Sequence, residues 1–346
     1  MALLFLDGFD YYNSADFGKK WDNVGSTSII DATNGRRGTQ GFFSQAASTS
    51  WLEKNITSAT YIIGFSIKQI AAGLSGNYFL CRIYDGATLQ CSLRMTNTGV
   101  IDVVRGTLTA LTNGSYSSIS NPSAEHYIEW KVTIGNSIAA DSCVVKVDGV
   151  EVINVAAGQD TQASGNAQGT ILRFGSSAAN STTRVFDDLY ICDDSGSTNN
   201  NFLGDVRVDV IYPDGDGTYT EGDPSAGSSN WAMVDETLLS ETDYVSLDNG
   251  SPGEKDSYAF GSLPALGGNL VLGVQVNAAA ATSDSGSNRD ARVFTISSAA
   301  TSAGASKTVG VTSTSIRSVF ETDPNTSAQW SQSGVNAAEF GVEVTG

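Results

Sequence analysis

From Tyr127 to Ile134 the side chains alternate without a break. Ile128, Trp130, Val132 and Ile134 fall on one side, and Tyr127, Glu129, Lys131 and Thr133 on the other. A period of two is the pattern of a strand with one dry face and one wet face; a helix cannot gather such a set into one stripe. The same period runs through Tyr61–Ile70, where Tyr61, Ile63, Phe65 and Ile67 oppose Gly64, Ser66 and Lys68. Cys143–Val147 and Val150–Val155 flank Asp148-Gly149, a pair that suits the positive φ angles of a tight hairpin turn. Tyr78–Tyr84 and Thr88–Met95 flank Asp85-Gly86-Ala87. A three-residue loop there sets Phe79 opposite Leu93, Cys81 opposite Cys91 and Ile83 opposite Leu89, an all-apolar face. Ile171–Phe174 and Val185–Cys192 follow. After a polar, Asn-rich turn, Asp205–Tyr212 alternates again, with Val206, Val208, Val210 and Tyr212 on one side. About a dozen short strands at regular spacing predict an all-β chain that opens with an antiparallel β-sandwich.

After Tyr212 the texture changes. Pro213–Ser229 reads as a polar loop, Trp231–Leu239 as a short helix, and Thr326–Ser331 as one helical turn. Leu270–Val276, Arg292–Ile296, Ile316–Phe320 and Phe340–Val344 read as strands, with Leu270 and Leu272 inward. At 346 residues two domains are expected, 1–212 and a smaller β-rich 213–346.

The net charge is −18, which repels phosphate backbones and excludes nucleic acid as a partner. The doublets Lys19-Lys20 and Arg36-Arg37 read as solvated loop charges. No segment reaches the roughly 18 apolar residues that span a bilayer, so no membrane insertion is expected. Met1–Leu6 lacks the basic region of a signal peptide, which implies synthesis in a cytoplasm. Cys81, Cys91, Cys143 and Cys192 form no C-x-x-C pair and sit in apolar patterns, so they read as buried thiols.

Chemistry is sparse. Glu125 and Glu129 are four residues apart on one strand, about 13 Å along it, and read as a solvated pair rather than the facing carboxylates of a glycosidase. His126, the single histidine, has the parity of Trp130 and reads as structural. There is no G-x-S-x-G, no P-loop and no dinucleotide fingerprint. Asp214–Glu221 offers hard oxygens without the twelve-position calcium pattern. Asp187 and Asp188 are neighbours, so alternation puts one of them on the dry face or its rim, where it must be hydrogen-bonded. They are read as a fold-closing contact and, second, as a metal site. No cofactor is expected; calcium is the ion those carboxylates would suit. Tyr11, Tyr12, Trp51 and Tyr116 lie in loop-like segments and are the candidate glycan-binding aromatics.

Three pieces in order resemble the concanavalin A-like lectin/glucanase sandwich in its laminin-G-like form. They are Phe5-Leu6-Asp7-Gly8-Phe9-Asp10, then Tyr127–Ile134 with Val144–Val150, then Phe186-Asp187-Asp188-Leu189-Tyr190. The E-x-D-x-x-E signature of that family's glucanases is absent. Asp188–Asp193, Asn201–Val208 and the ending Phe320–Thr326, Trp330 and Val335–Val342 are similar to tailed-bacteriophage virion proteins that carry such a domain. The resemblance implies a non-enzymatic virion structural protein of minor-tail or tail-fibre type, on the virion surface. It implies tail or capsid proteins as partners, a homo-oligomer, expected as a trimer, and a host surface glycan as ligand. The alternatives it leaves open are a capsid decoration or head-fibre protein and a virion-associated polysaccharide-degrading enzyme.

Overall fold

A computed structural model describes residues 2–45, 49–71, 77–96, 98–106, 109–117, 119, 121, 123–175, 183–247, 253–284 and 288–346. The chain forms two compact units. The first comprises Met1–Asp10 and Trp21–Val208; the second comprises Tyr11–Lys20 and Asp209–Gly346.

The first unit is a sandwich of two antiparallel sheets. Its strands are β1 (Leu3–Asp7), β2 (Asn23–Val24), β3 (Ile29–Asp31), β4 (Gly41–Ser44), β5 (Leu52–Ser58), β6 (Thr60–Ala71), β7 (Asn77–Asp85) and β8 (Thr88–Thr96). They continue as β9 (Ile101–Arg105), β10 (Thr109–Tyr116), β11 (Glu125–Thr133), β12 (Cys143–Val147), β13 (Val150–Asn154), β14 (Gly169–Phe174) and β15 (Thr183–Cys192). An eight-stranded sheet runs β13-β12-β11-β6-β15-β4-β3, with β1 also on β15; a seven-stranded sheet runs β10-β9-β8-β7-β14-β5-β2. Aromatic rings fill the space between them. Phe65 of β6 meets Phe174 of the opposite sheet at 6.2 Å and Phe186 of β15 at 5.4 Å between ring centres. Trp21 packs edge-on against Phe5 and donates its indole N–H to buried Asp7 at 3.0 Å.

The strand read from Tyr127–Ile134 is present as β11 with Ile128, Trp130 and Val132 in the core, but Tyr127 and Glu129, expected on the wet side, are buried as well. The β7–β8 hairpin differs from expectation. Asp85 pairs with Thr88, so the loop is the two residues Gly86-Ala87, and irregularities at Phe79/Cys81 and Ile83/Tyr84 shift the register. Cys81 therefore faces Leu93 and Ile83 faces Cys91. Cys81, Cys91 and Cys143 are buried free thiols.

The second unit is built from β16 (Pro213–Thr220), β17 (Asp223–Pro224), β18 (Val245–Ser246), β19 (Lys255–Phe260), β20 (Val274–Ala280), β21 (Arg289–Ser297), β22 (Ala300–Ala303), β23 (Lys307–Val309), β24 (Thr314–Phe320) and β25 (Glu339–Val344). β16-β19-β25-β21-β22 form one sheet, with β23 also on β21; β20 and β24 form another, and β17 pairs with β18. Phe320, Trp330, Val335 and Phe340 make one core cluster, with Phe260 and Ile211 against it. Trp330 donates its indole N–H to the Phe320 carbonyl at 3.0 Å. The expected loop at Pro213 is a strand, and the expected helical turn lies later, at α2 (Gln332–Ala337), capped by the Ser331 hydroxyl. Trp231–Met233 is a single 3-10 turn. Leu270, expected inward, is 67% exposed. No helix among the described residues is long and apolar enough to cross a membrane.

Candidate functional site

The two outer faces of the sandwich are built differently, and the difference locates the site. On the eight-stranded sheet the wet-side residues are buried. Gly64 lets the Tyr190 ring lie flat on β6; a Cβ at Gly64 would sit 2.0 Å from that ring. The Tyr190 hydroxyl donates to Glu129 Oε1 at 2.5 Å, and the same oxygen accepts from the Gly204 amide at 2.8 Å. Leu203 N–H donates to the Tyr190 hydroxyl at 3.2 Å. Residues 203–208 thus run across this face as a strap. Asp205–Tyr212, expected as a strand, pairs with no strand. Glu129, expected in solvent, is 2% exposed.

β15 carries an irregularity between Asp187 and Tyr190, with Asp188 at φ 47°. A bulge adds a residue to one strand and re-aims the side chains beside it. Here it turns both neighbouring carboxylates towards the Arg36-Arg37 turn, where simple alternation would have divided them. Asp187 Oδ2 accepts from the Arg36 amide at 2.6 Å and the Thr39 hydroxyl at 3.1 Å; its Oδ1 accepts from the Asp188 amide at 2.7 Å. Asp188 Oδ2 meets Arg36 at 3.2 Å and Arg37 at 2.8 Å, and its Oδ1 accepts from the strap amide of Val208 at 2.7 Å. Arg36 also binds Glu125 at 2.7 Å and Asp205 at 2.6 Å. Its side chain is 10% exposed, so it is not a solvated loop charge. Burial pulls the Arg36 guanidinium down, but Asp205 and Glu125 outweigh that and leave it above its ordinary value. Burial and the adjacent Asp188 charge push the Asp187 carboxyl up to about 8. Both carboxylates are occupied by N–H and O–H donors in a knot that closes the sandwich. Among the described residues no group of three or more His, Cys, Asp or Glu side chains could hold a metal ion.

The outer face of the seven-stranded sheet carries a ladder of aromatic and guanidinium groups. Pairing sets Asn23 beside Glu53, Glu53 beside Arg173, and Arg173 beside Arg82 across β2, β5, β14 and β7. Arg173 forms an ion pair with Glu53, which also accepts from the Asn23 side-chain amide at 2.9 Å. The Arg173 guanidinium lies 4.3 Å from the Trp51 ring and 4.9 Å from the Tyr84 ring. Arg82 lies 4.9 Å from the Phe79 ring and donates to the Tyr84 hydroxyl at 3.2 Å and the Gly175 carbonyl at 2.9 Å. The order is therefore Trp51, Arg173, Tyr84, Arg82, Phe79. Burial lowers the Arg82 guanidinium to about 10; the Tyr84 hydroxyl pulls it back up, and the like charge of Arg173 adds to the fall. Trp51, Phe79, Tyr84 and Arg173 are all partly open to solvent.

One end of this face has a wall. Buried Gln90 of β8 accepts from the amides of Ala163 and Ser164 and donates to Ser164, Asn166 and Gln168. Asp85 takes the Ser164 hydroxyl at 2.7 Å and the Asn166 side chain at 2.9 Å. The segment 163–168 is thereby pinned beside Tyr84. Chemically, flat guanidiniums match carboxylates in a two-toothed geometry, rings offer apolar faces, and a phenol next to a cation is a proton-transfer group.

Of the residues picked from sequence, Trp51 belongs to this ladder. Tyr116 ends β10 opposite Ile101. Tyr11 and Tyr12 belong to the second unit, where Lys20 lies 4.5 Å from the Tyr11 ring; Tyr12 is 1% exposed. His126 is held by Asp148 at 2.7 Å and faces the Asn121 carbonyl at 3.2 Å. Arg82, Arg173, Tyr84 and Glu53 were not singled out. A lone arginine on the wet side of a strand looks like any surface charge until its cross-strand neighbours are known.

No family model matches the chain, and no curated protein matches it. Solved structures with similar folds are carbohydrate-active or carbohydrate-binding proteins. The alginate lyase Aly36B is 12% identical with a TM-score of 0.37, over 56% of this chain and 96% of its own. The carbohydrate binding module CBM66 from Bacillus subtilis is 9% identical with a TM-score of 0.33, over 48% and 92%. A Trypanosoma rangeli sialidase is 10% identical with a TM-score of 0.34, over 51% of this chain and 28% of its own. These findings correct the sequence-based expectation of a non-enzymatic tail or capsid protein of a bacteriophage. None of these neighbours is a virion component, and two of the three are enzymes that act on glycans.

Proposed function

We propose that the first unit is a carbohydrate-active enzyme whose seven-stranded face grips an acidic polysaccharide and cleaves it by elimination. The observation that carries this reading is the ladder itself: two adjacent guanidiniums, each stacked on aromatic rings, with the Tyr84 hydroxyl accepting from Arg82 and the Tyr84 ring beneath Arg173. In a chain of net charge −18, a face that concentrates arginine suits an anionic ligand. Arg173, which is partly open to solvent, takes a uronate carboxylate, and buried Arg82 holds the Tyr84 hydroxyl from beneath; Trp51 and Phe79 stack against neighbouring sugar rings.

Neutralising that carboxylate acidifies the carbon–hydrogen bond beside it. Tyr84 is placed to take that proton. The electron pair forms a carbon–carbon double bond, the glycosidic carbon–oxygen bond breaks, and the departing oxygen takes that proton back from Tyr84. No second carboxylate is needed, which fits a face where Glu53 is already tied to Arg173. The alginate lyases among the similar folds are named for a uronate polymer, but the reading rests on the residues.

The test is incubation with alginate, pectate and a neutral glucan, followed by ultraviolet absorbance of the unsaturated product. Activity on an acidic polymer that falls at least about a hundredfold in Tyr84→Phe, with binding retained, is the expected result. Cleavage of the neutral glucan alone, or binding with no cleavage of any acidic polymer, would reject it.

A further inference from the structure

Among the described residues, most sheet edges of this protein are guarded. Strand edges invite another strand, and natural folds protect them with charge, proline, bulges or shortness. β16 has Pro213, Asp214 and Asp216 and two breaks in register. β10 and β13 carry register shifts. β2, β3, β22 and β23 are two to four residues long.

β20 has none of these devices. It runs seven residues, Val274–Ala280, without charge or proline. Its register with β24 is unbroken from Val274↔Phe320 to Ala280↔Thr314, and among the described residues β24 is its only strand neighbour. The flanking chain has the same character. Residues 257–283 contain no charged side chain, although 16% of the chain is charged. Leu270 is 67% exposed, and Ala279 is exposed within the strand.

We propose that β20 is a self-association edge, and that two copies of this chain pair antiparallel through it to give a continuous β24-β20-β20-β24 sheet. Charge selects the occupant. Two copies at −18 each repel wherever acidic surface meets, and this uncharged stretch is where they can approach. An antiparallel edge contact uses the same strand on both sides, which is the geometry of a two-fold dimer.

Sedimentation of the full chain over a range of concentrations tests this. The wild type is expected to dimerise. Ala279→Glu puts a charge into the exposed side of the edge and should weaken the dimer about tenfold or more. Val150→Glu, at a 64% exposed hairpin residue of the first unit, should leave it unchanged. Amide exchange of the wild type supplies a readout free of any folding defect: β20 amides should gain protection as concentration rises. A wild type that stays monomeric, a folded Ala279→Glu protein with an unchanged dimer, or β20 exchange independent of concentration would each overturn the proposal.

Discussion

On the eight-stranded sheet, Arg36 is tied to Asp188, Asp205 and Glu125, and a strap lies over it. On the seven-stranded sheet, Arg82 and Arg173 are laid against aromatic rings on a face partly open to solvent. Both arrangements desolvate guanidiniums. In the first, anionic oxygens of the protein supply the compensation, so the charge is spent inside the fold. In the second, Glu53 balances Arg173, while ring faces and the Gly175 carbonyl supply it for Arg82, and neither a ring nor a carbonyl neutralises a cation. A knot of the first kind holds a sandwich shut; a ladder of the second kind, under the proposed function, meets an anionic partner. The same residue type therefore closes one face and equips the other, and what separates the roles is the company each arginine keeps.

That contrast can be broken at its strongest point first. Arg36→Ala takes one of two arginines from buried Asp188 and the shared cation from Asp205 and Glu125, and should cost about 3–5 kcal/mol of stability, read by chemical denaturation. A loss below about 1 kcal/mol would mean that the knot does not hold the face. Tyr190→Phe comes next. It takes one donor from buried Glu129 and one acceptor from the strap, a cost of about 1–3 kcal/mol, with faster amide exchange expected at Leu203 and Gly204.

Arg173→Lys sharpens the other side. The ammonium keeps the charge opposite Glu53 but loses the flat group between Trp51 and Tyr84. Binding of an acidic polysaccharide should weaken about tenfold, or about 1.4 kcal/mol, with the melting temperature little changed. An unchanged affinity in titration calorimetry would remove the ladder from the binding site.

The smallest effect belongs to Asp187→Asn, which sets an amide NH2 against one of the N–H donors now met by a carboxyl oxygen and should cost about 1 kcal/mol. Its signature is a slope. The ordinary carboxyl releases its proton at 3.8 and the folded one at about 8. Between those values the folded state binds more protons than the unfolded state, so this contribution is complete below about pH 4 and is lost as the pH rises through about 8. The variant should flatten the fall in stability over that range in denaturation curves taken at several pH values.

Much of the first unit was legible in sequence because a strand writes its burial into every second residue. Tyr61–Ile70 and Tyr127–Ile134 emerged from that period, the Asp148-Gly149 hairpin from its turn residues and Val185–Cys192 from its apolar run. Asp205–Tyr212 shows its limit. The alternation is present, yet the segment pairs with no strand. Residues 203–208 are a strap anchored by Tyr190, Glu129 and Asp188. Period two reports which side chains are covered, and a strap over a sheet is covered on one side just as an edge strand is. Leu270 shows the converse, an apolar residue placed outward by the fold.

The amino-acid order by itself settled the all-β class and the positions of most strands. Those properties depend on near neighbours along the chain. Only the folded molecule decided that residues 51, 79, 82, 84 and 173 form one ladder, and that a bulge turns Asp187 and Asp188 to the same side. Sheet order and strand irregularities set those meetings, and both arise from contacts between segments far apart in sequence, where local periodicity carries no information.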